Sequence, residues 1–188
     1  MNKASTFFYQ KSSLILVLVL TVATFGYLFF VMMEVAAGFE VPNDSNKSLG
    51  TSFGFSYDAV VQFLSIRTPE MIARYQAFNA IWDNLFALLY GLMYVAWVSY
   101  LLKPFQAKFK MLNLLPLVQV VFDWLENYEL ASIARAFLAG ESISTTAVEL
   151  ASIFSMVKWV ASMLVFAIII LGIGMRIRAL IKKKPSGE

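Results

Sequence analysis

Gln119, Asp123 and Glu126, with Asn127 adjoining, recur at i, i+4 and i+7, the spacing that sets side chains on one face of a helix. Two carboxylates about a turn apart in a poorly hydrated place can bind a proton, hold a cation or receive a polar head group, and they can also do acid/base work. Asp83, Tyr90 and Lys158 are further polar groups set within or beside otherwise apolar stretches. A charge at the centre of a membrane span costs about 2.5–3.5 kcal/mol, which makes these residues the first candidates for a function. Three roles are open to them: glue between helices, a ligand- or proton-binding pocket, or a surface for another membrane protein.

Other chemistry is closed by composition. The chain has no Cys and no His, so disulfides, thiolate or imidazole catalysis, haem ligation and Cys/His zinc sites are excluded. No Asp-rich loop offers Ca²⁺ or Mg²⁺ a ligand set, and no phosphate-binding glycine loop or basic nucleic-acid stripe occurs. The expectation is a protein without metal, cofactor or nucleic-acid partner.

The elements that must position the cluster are membrane spans. Of 188 residues, 60% are hydrophobic and 14% charged, with a mean hydropathy of +0.71. Soluble domains hold about 45–50% and about 25%. Leu14 to Met33 is an uncharged run of 20 residues, enough to cross the hydrocarbon core and longer than a secretory signal core. Leu85 to Leu102 and Trp159 to Met175 are similar. Met111 to Phe122 is uncharged for only 12 residues before Asp123, so hydropathy leaves a span there undecided.

Charge placement decides it. Ten of the 15 Lys and Arg residues fall at the N-terminus (Lys3, Lys11), between the second and third hydrophobic runs (Lys103, Lys108, Lys110) and after the last (Arg176, Arg178, Lys182, Lys183, Lys184), with Glu188 the one acid among them. The rest of the chain holds five bases and eleven acids. Only four crossings with both termini cytoplasmic keep every basic cluster inside. The expected fold is therefore all-α: an integral membrane four-helix bundle forming one domain over 1–188, with spans at about 14–33, 80–102, 111–130 and 155–175 and an outer loop at 34–78.

Helix ends follow from local chemistry. Thr68-Pro69-Glu70 predicts a cap and a helix starting at Pro69, Asp58 a cap for a short helix over 59–64, Thr146 and Glu149 a capping box, and Gly140 a C′ position. Met71, Ile72, Tyr75 and Phe78 share one helix face. Met111–Ala139 and Ala147–Met175 would form a hairpin of two 29-residue helices, with Pro116 kinking the first. Ala87-x-x-x-Gly91 and Gly172-Ile173-Gly174 permit close helix contact. Trp82, Trp124, Tyr128 and Trp159 suit an outer aromatic belt, and Tyr9, Tyr100 and Phe105 an inner one.

Counting 1.5 Å per residue up from the inner, basic boundary places Asp123 at about 20 Å, Glu126 at about 24 Å, Lys158 at about 27 Å and Asp83 at about 30 Å, the outer edge of the hydrocarbon core. Asp123 is thus the deepest charge, with no cation at its own level. Folding the hairpins about their midpoints pairs Lys158 with Glu126 or Glu129 and brings Tyr90 to Asp123 and Tyr94 to Gln119. The candidate ligand- or proton-binding residues are accordingly Asp123, Glu126, Asn127, Gln119, Tyr90, Asp83 and Lys158.

The stretch Asp123-Trp124-Leu125-Glu126-Asn127 resembles an Asp-x-x-Glu-Asn signature of small uncharacterised bacterial four-span membrane proteins, over one helix of the chain. That resemblance implies a four-span bundle in a bacterial inner membrane and no particular activity. The layout of a long first loop is also similar to claudin-like tetraspans, but their paired loop cysteines are absent. The function expected is an integral binding or accessory subunit with an acidic pocket in the outer half of the bilayer. A carboxylate-dependent enzyme acting on a lipid-like substrate and an oligomeric ion or proton pathway are the alternatives. Expected partners are the lipid bilayer, a lipid or small amphiphile, and another membrane protein or further copies of the chain.

Overall fold

The computed structural model describes residues 3–42, 44, 48–109 and 111–183; Lys110, Lys184 and Glu188 of the basic clusters lie outside the described residues. Among those described, every regular element is helical. The helices are α1 (Lys3–Lys11), α2 (Leu14–Ala37), α3 (Tyr57–Ser65), α4 (Pro69–Phe105), α5 (Leu115–Leu138) and α6 (Thr145–Lys183). Three of them, α2, α4 and α6, are long and apolar enough to cross a membrane. Their outward faces carry Val22, Phe30, Ile170 and Leu171, each more than 60% exposed, as an apolar solvent permits and water does not.

Sequence reading placed the start of the third helix at Met111 and a kink at Pro116. The structure corrects both. Met111 adopts a left-handed conformation, Leu112–Leu114 forms a 3₁₀ turn, and α5 starts at Leu115 with Pro116 in its first turn. A first-turn residue has no intrahelical partner for its N–H, so proline fits there without breaking anything. The helix is 24 residues long rather than 29. Its polar side chains Gln119, Asp123, Glu126 and Asn127 are buried, while Val118, Val121, Trp124, Leu125 and Tyr128 face outward.

Two caps also fall elsewhere than expected. Ser144, not Thr146, receives the Ala147 N–H at 3.3 Å, so α6 has no capping box. Ser56, not Asp58, caps α3. Serine accepts from the N3 amide as well as Thr or Asp does, and it stands one residue before the helical dihedrals begin. Thr68 and Pro69 start α4 as anticipated, and Gly140 closes α5 with φ +72° while the Glu141 N–H reaches the Ala136 carbonyl at 2.9 Å.

The segment between α2 and α4 is a folded cap rather than a plain loop. Its Phe39, Leu49 and Phe63 are buried with Ile72 and Tyr75 of α4 against Leu130 and Ile133 of α5 and Val148 of α6. Arg67 holds it together: its guanidinium donates to the Phe39 and Phe63 carbonyls at 2.9 and 2.6 Å and pairs with Asp44 at 2.9 Å. The opposite end is sealed by Tyr9, Val98, Leu102 and Val165. There α1 is tied down by Ser5, whose hydroxyl donates to Asn113 at 2.7 Å, and by Tyr9, which donates to the Phe109 carbonyl at 2.8 Å. Tyr9 is therefore wholly buried and takes no part in an interfacial belt.

The bundle core sits where α4, α5 and α6 meet. Gly91 is the closest approach: a Cβ there would run into Val120 of α5, so only glycine lets α4 and α5 pack at this distance. Gly172 similarly meets Leu101, whereas Gly174 faces open space. α2 packs on α4 and so does α6, but α2 and α6 do not pack along each other, which leaves a seam.

Candidate functional site

Lys158 of α6 is the centre of the polar cluster. Its ammonium lies 2.5 Å from Glu126 Oε2 and 3.3 Å from Asp123 Oδ1, an ion pair with each, and donates to the Gly50 carbonyl at 3.0 Å. All three side chains are more than nine-tenths buried. Pairing with Glu126 rather than Glu129 follows the hairpin register. The expectation that Asp123 has no cation beside it is overturned. Depth counted along helix axes locates Cα atoms, whereas the four-carbon lysine stem carries the charge to Asp123 and Glu126 together, one turn apart on the same face.

Tyr90 of α4 donates a close hydrogen bond to the other Asp123 oxygen, as the folded-back register required. Tyr94 does not meet Gln119; its ring packs on Tyr90 and Phe166 at 6.0 and 5.5 Å, and the Gln119 side-chain oxygen is buried without a partner. Asn127 turns away to Asn84, donating at 3.2 Å, and Glu126 sits wholly enclosed beside Lys158.

A cavity of about 350 Å³ opens beside this cluster. Asp83, Tyr90, Gln119, Asp123 and Lys158 line it; Glu126 and Asn127 do not, so of the seven sequence candidates five face the space and two stand behind it. Trp159, expected in an aromatic belt, lines the cavity as well. Phe25 of α2 and Phe166 of α6 both line it and are about half exposed, 48% and 49%, so they flank its mouth at the α2–α6 seam. Phe86, Tyr94 and Met93 complete an apolar wall.

Sequence reasoning missed the contribution of the cap. The segment around the Leu49–Thr51 turn inserts over the cluster: Gly50 offers its carbonyl to Lys158, the Ser52 carbonyl accepts from Ser155 at 2.8 Å, and Thr51 lines the cavity. A side chain at Gly50 would stand 3.5 Å from Glu126 and 3.8 Å from the ammonium. Nothing in the polar pattern of residues 48–52 marks them, because what they supply is mostly backbone oxygen, which every sequence carries.

No group of three or more acidic side chains among the described residues is arranged to hold a metal ion. What the geometry can do is receive a polar group at its polar lining and an apolar group at its mouth. No protein-family model, curated protein or solved structure matches the chain.

Proposed function

We propose that the chain is a four-span bundle of a bacterial inner membrane, with both termini cytoplasmic, that binds an amphiphile entering sideways between α2 and α6. The observation that carries this reading is the cavity, whose polar lining is Asp83, Gln119 and Asp123 and whose mouth is Phe25 and Phe166. Such a graded lining suits a molecule with a polar head and a hydrocarbon tail. The bundle's apolar exterior and the inside-out character of α5, with charges within and Val121, Trp124 and Leu125 without, support a fourth crossing. The clustering of bases at one end supports the orientation. Reporter fusions at residues 50, 107, 143 and 188 are expected to read outside, inside, outside, inside; an external C-terminus overturns the topology.

Binding is favoured over transport because the space below the cavity is filled by Val98, Leu102, Tyr9 and Val165. The direct test is mass spectrometry of organic extracts from the protein purified in neutral detergent. A stoichiometric amphiphile is expected, and it is lost in Thr24→Trp, which fills the cavity from α2. Amphiphile retained equally by that variant overturns the site.

A further inference from the structure

Whatever enters the cavity meets carboxylates, and the one ammonium lining it is already paired. Asp83, Asp123 and Gln119, a residue 6% exposed whose amide oxygen has no partner, line the space. Most hydroxyls around it already donate elsewhere: Thr24 to the Leu20 carbonyl at 2.8 Å, Thr51 to Ser48 at 2.7 Å, Ser162 to Lys158 at 2.9 Å, and Tyr90 to Asp123. The Lys158 ammonium is already paired with Glu126 and Asp123 and donates to the Gly50 carbonyl. The donors left facing the space are neutral, the Tyr94 hydroxyl and the N–H of the Gln119 amide, which can turn to present its oxygen instead.

Formal charge points the same way. Asp123 and Glu126 share a single ammonium, and Asp83 lines the same cavity with no ion pair of its own, an excess of negative charge that a poorly hydrated site tolerates only when protons or a cation offset it. The rings of Phe86, Tyr90 and Tyr94 form part of the same wall, and aromatic faces attract cations. A phosphate or carboxylate head would find the one basic residue of the cavity lining already paired and two carboxylates before it.

We infer that the amphiphile is a cationic one: a protonated primary amine on a hydrocarbon chain, its N–H donors directed to Gln119, Asp83 and Asp123. This rests on the amphiphile-binding reading and adds the chemical class of the head group.

The test uses the full chain in a neutral maltoside detergent, with decylammonium, decanol and decyl phosphate compared by native mass spectrometry and by competition. Decylammonium is expected to bind at least tenfold tighter than decyl phosphate. Asp83→Asn, which leaves the Lys158 ion pairs in place, and Gln119→Leu are each expected to weaken decylammonium at least fivefold and to leave decanol unaffected. Decyl phosphate binding as tightly as decylammonium, or decylammonium binding indifferent to both variants, overturns the cationic head. If decanol still binds and Thr24→Trp abolishes it, the amphiphile site itself survives. Failure of all three chains to bind overturns both conclusions together. The two single variants lie on different helices, so misfolding of one leaves the other to decide.

Discussion

Lys158 carries more than one interaction, and its variants separate them. Removing one partner of a buried ion pair leaves the other charge without compensation and costs about 3–5 kcal/mol. Lys158→Met strands both Asp123 and Glu126 and is expected to lose that much. Glu126→Gln should cost less, because the ammonium keeps Asp123 and the Gly50 carbonyl. The double variant then recovers part of the loss, and adding Asp123→Asn recovers most of the remainder, since no charge of the Lys158 triad stays unpaired. Thermal unfolding in detergent across the series checks this; strictly additive losses would mean that the three groups do not interact. The triad was half legible in the sequence: the i, i+4, i+7 face and the hairpin register bring Lys158 to Glu126, but axial counting conceals how far a lysine reaches.

Helix boundaries were legible where chain chemistry is strictly local. Thr68-Pro69 and Gly140 act through their own hydroxyl, ring and φ, and the structure places them as their sequence requires. The start of α6 was less so, because Ser144, Thr145 and Thr146 are all competent caps and only the path of the incoming chain selects among them. Ser144→Ala is expected to destabilise by about 0.5–2 kcal/mol. Thr146→Ala should remain within about 0.5 kcal/mol. Melting curves of the two variants measured side by side check the assignment, and a larger loss for Thr146→Ala would restore the capping box. Pro116 teaches a similar lesson: proline kinks a helix or begins one depending on where the helix starts, and that start was fixed by the left-handed turn at Met111.

At the scale of the whole molecule, the cap between α2 and α4 couples the bundle's end to its polar centre. Arg67 fastens the cap, its guanidinium 3.4 Å from the centre of the Phe63 ring and bonded to the backbone at Phe39 and Phe63. Arg67→Met keeps bulk but abandons those carbonyls, so the cap should open and lose its hold over Gly50 and Thr51. Limited proteolysis is expected to cut within residues 39–66 at least tenfold faster in the variant, while α4, α5 and α6 stay protected. Unchanged protease resistance would show that the apolar contacts of the cap suffice without the arginine.

Composition and periodicity by themselves determined the all-helical class, the three helices long and apolar enough to cross a membrane and the polar face of α5, because each of these depends on counts and spacings along one stretch of chain. They also named the polar residues that line the cavity, since charge is costly in an apolar helix and so stands out. Only the tertiary structure decided that Glu126 and Asn127 stand behind the cavity, that Trp159 faces inward, and that backbone from the cap completes the Lys158 site. Those facts depend on helix rotation, side-chain reach and a carbonyl from a segment 108 residues away from its partner. None of the three has a local signature in the chain, because packing settles rotation and reach only when all the helices are present together.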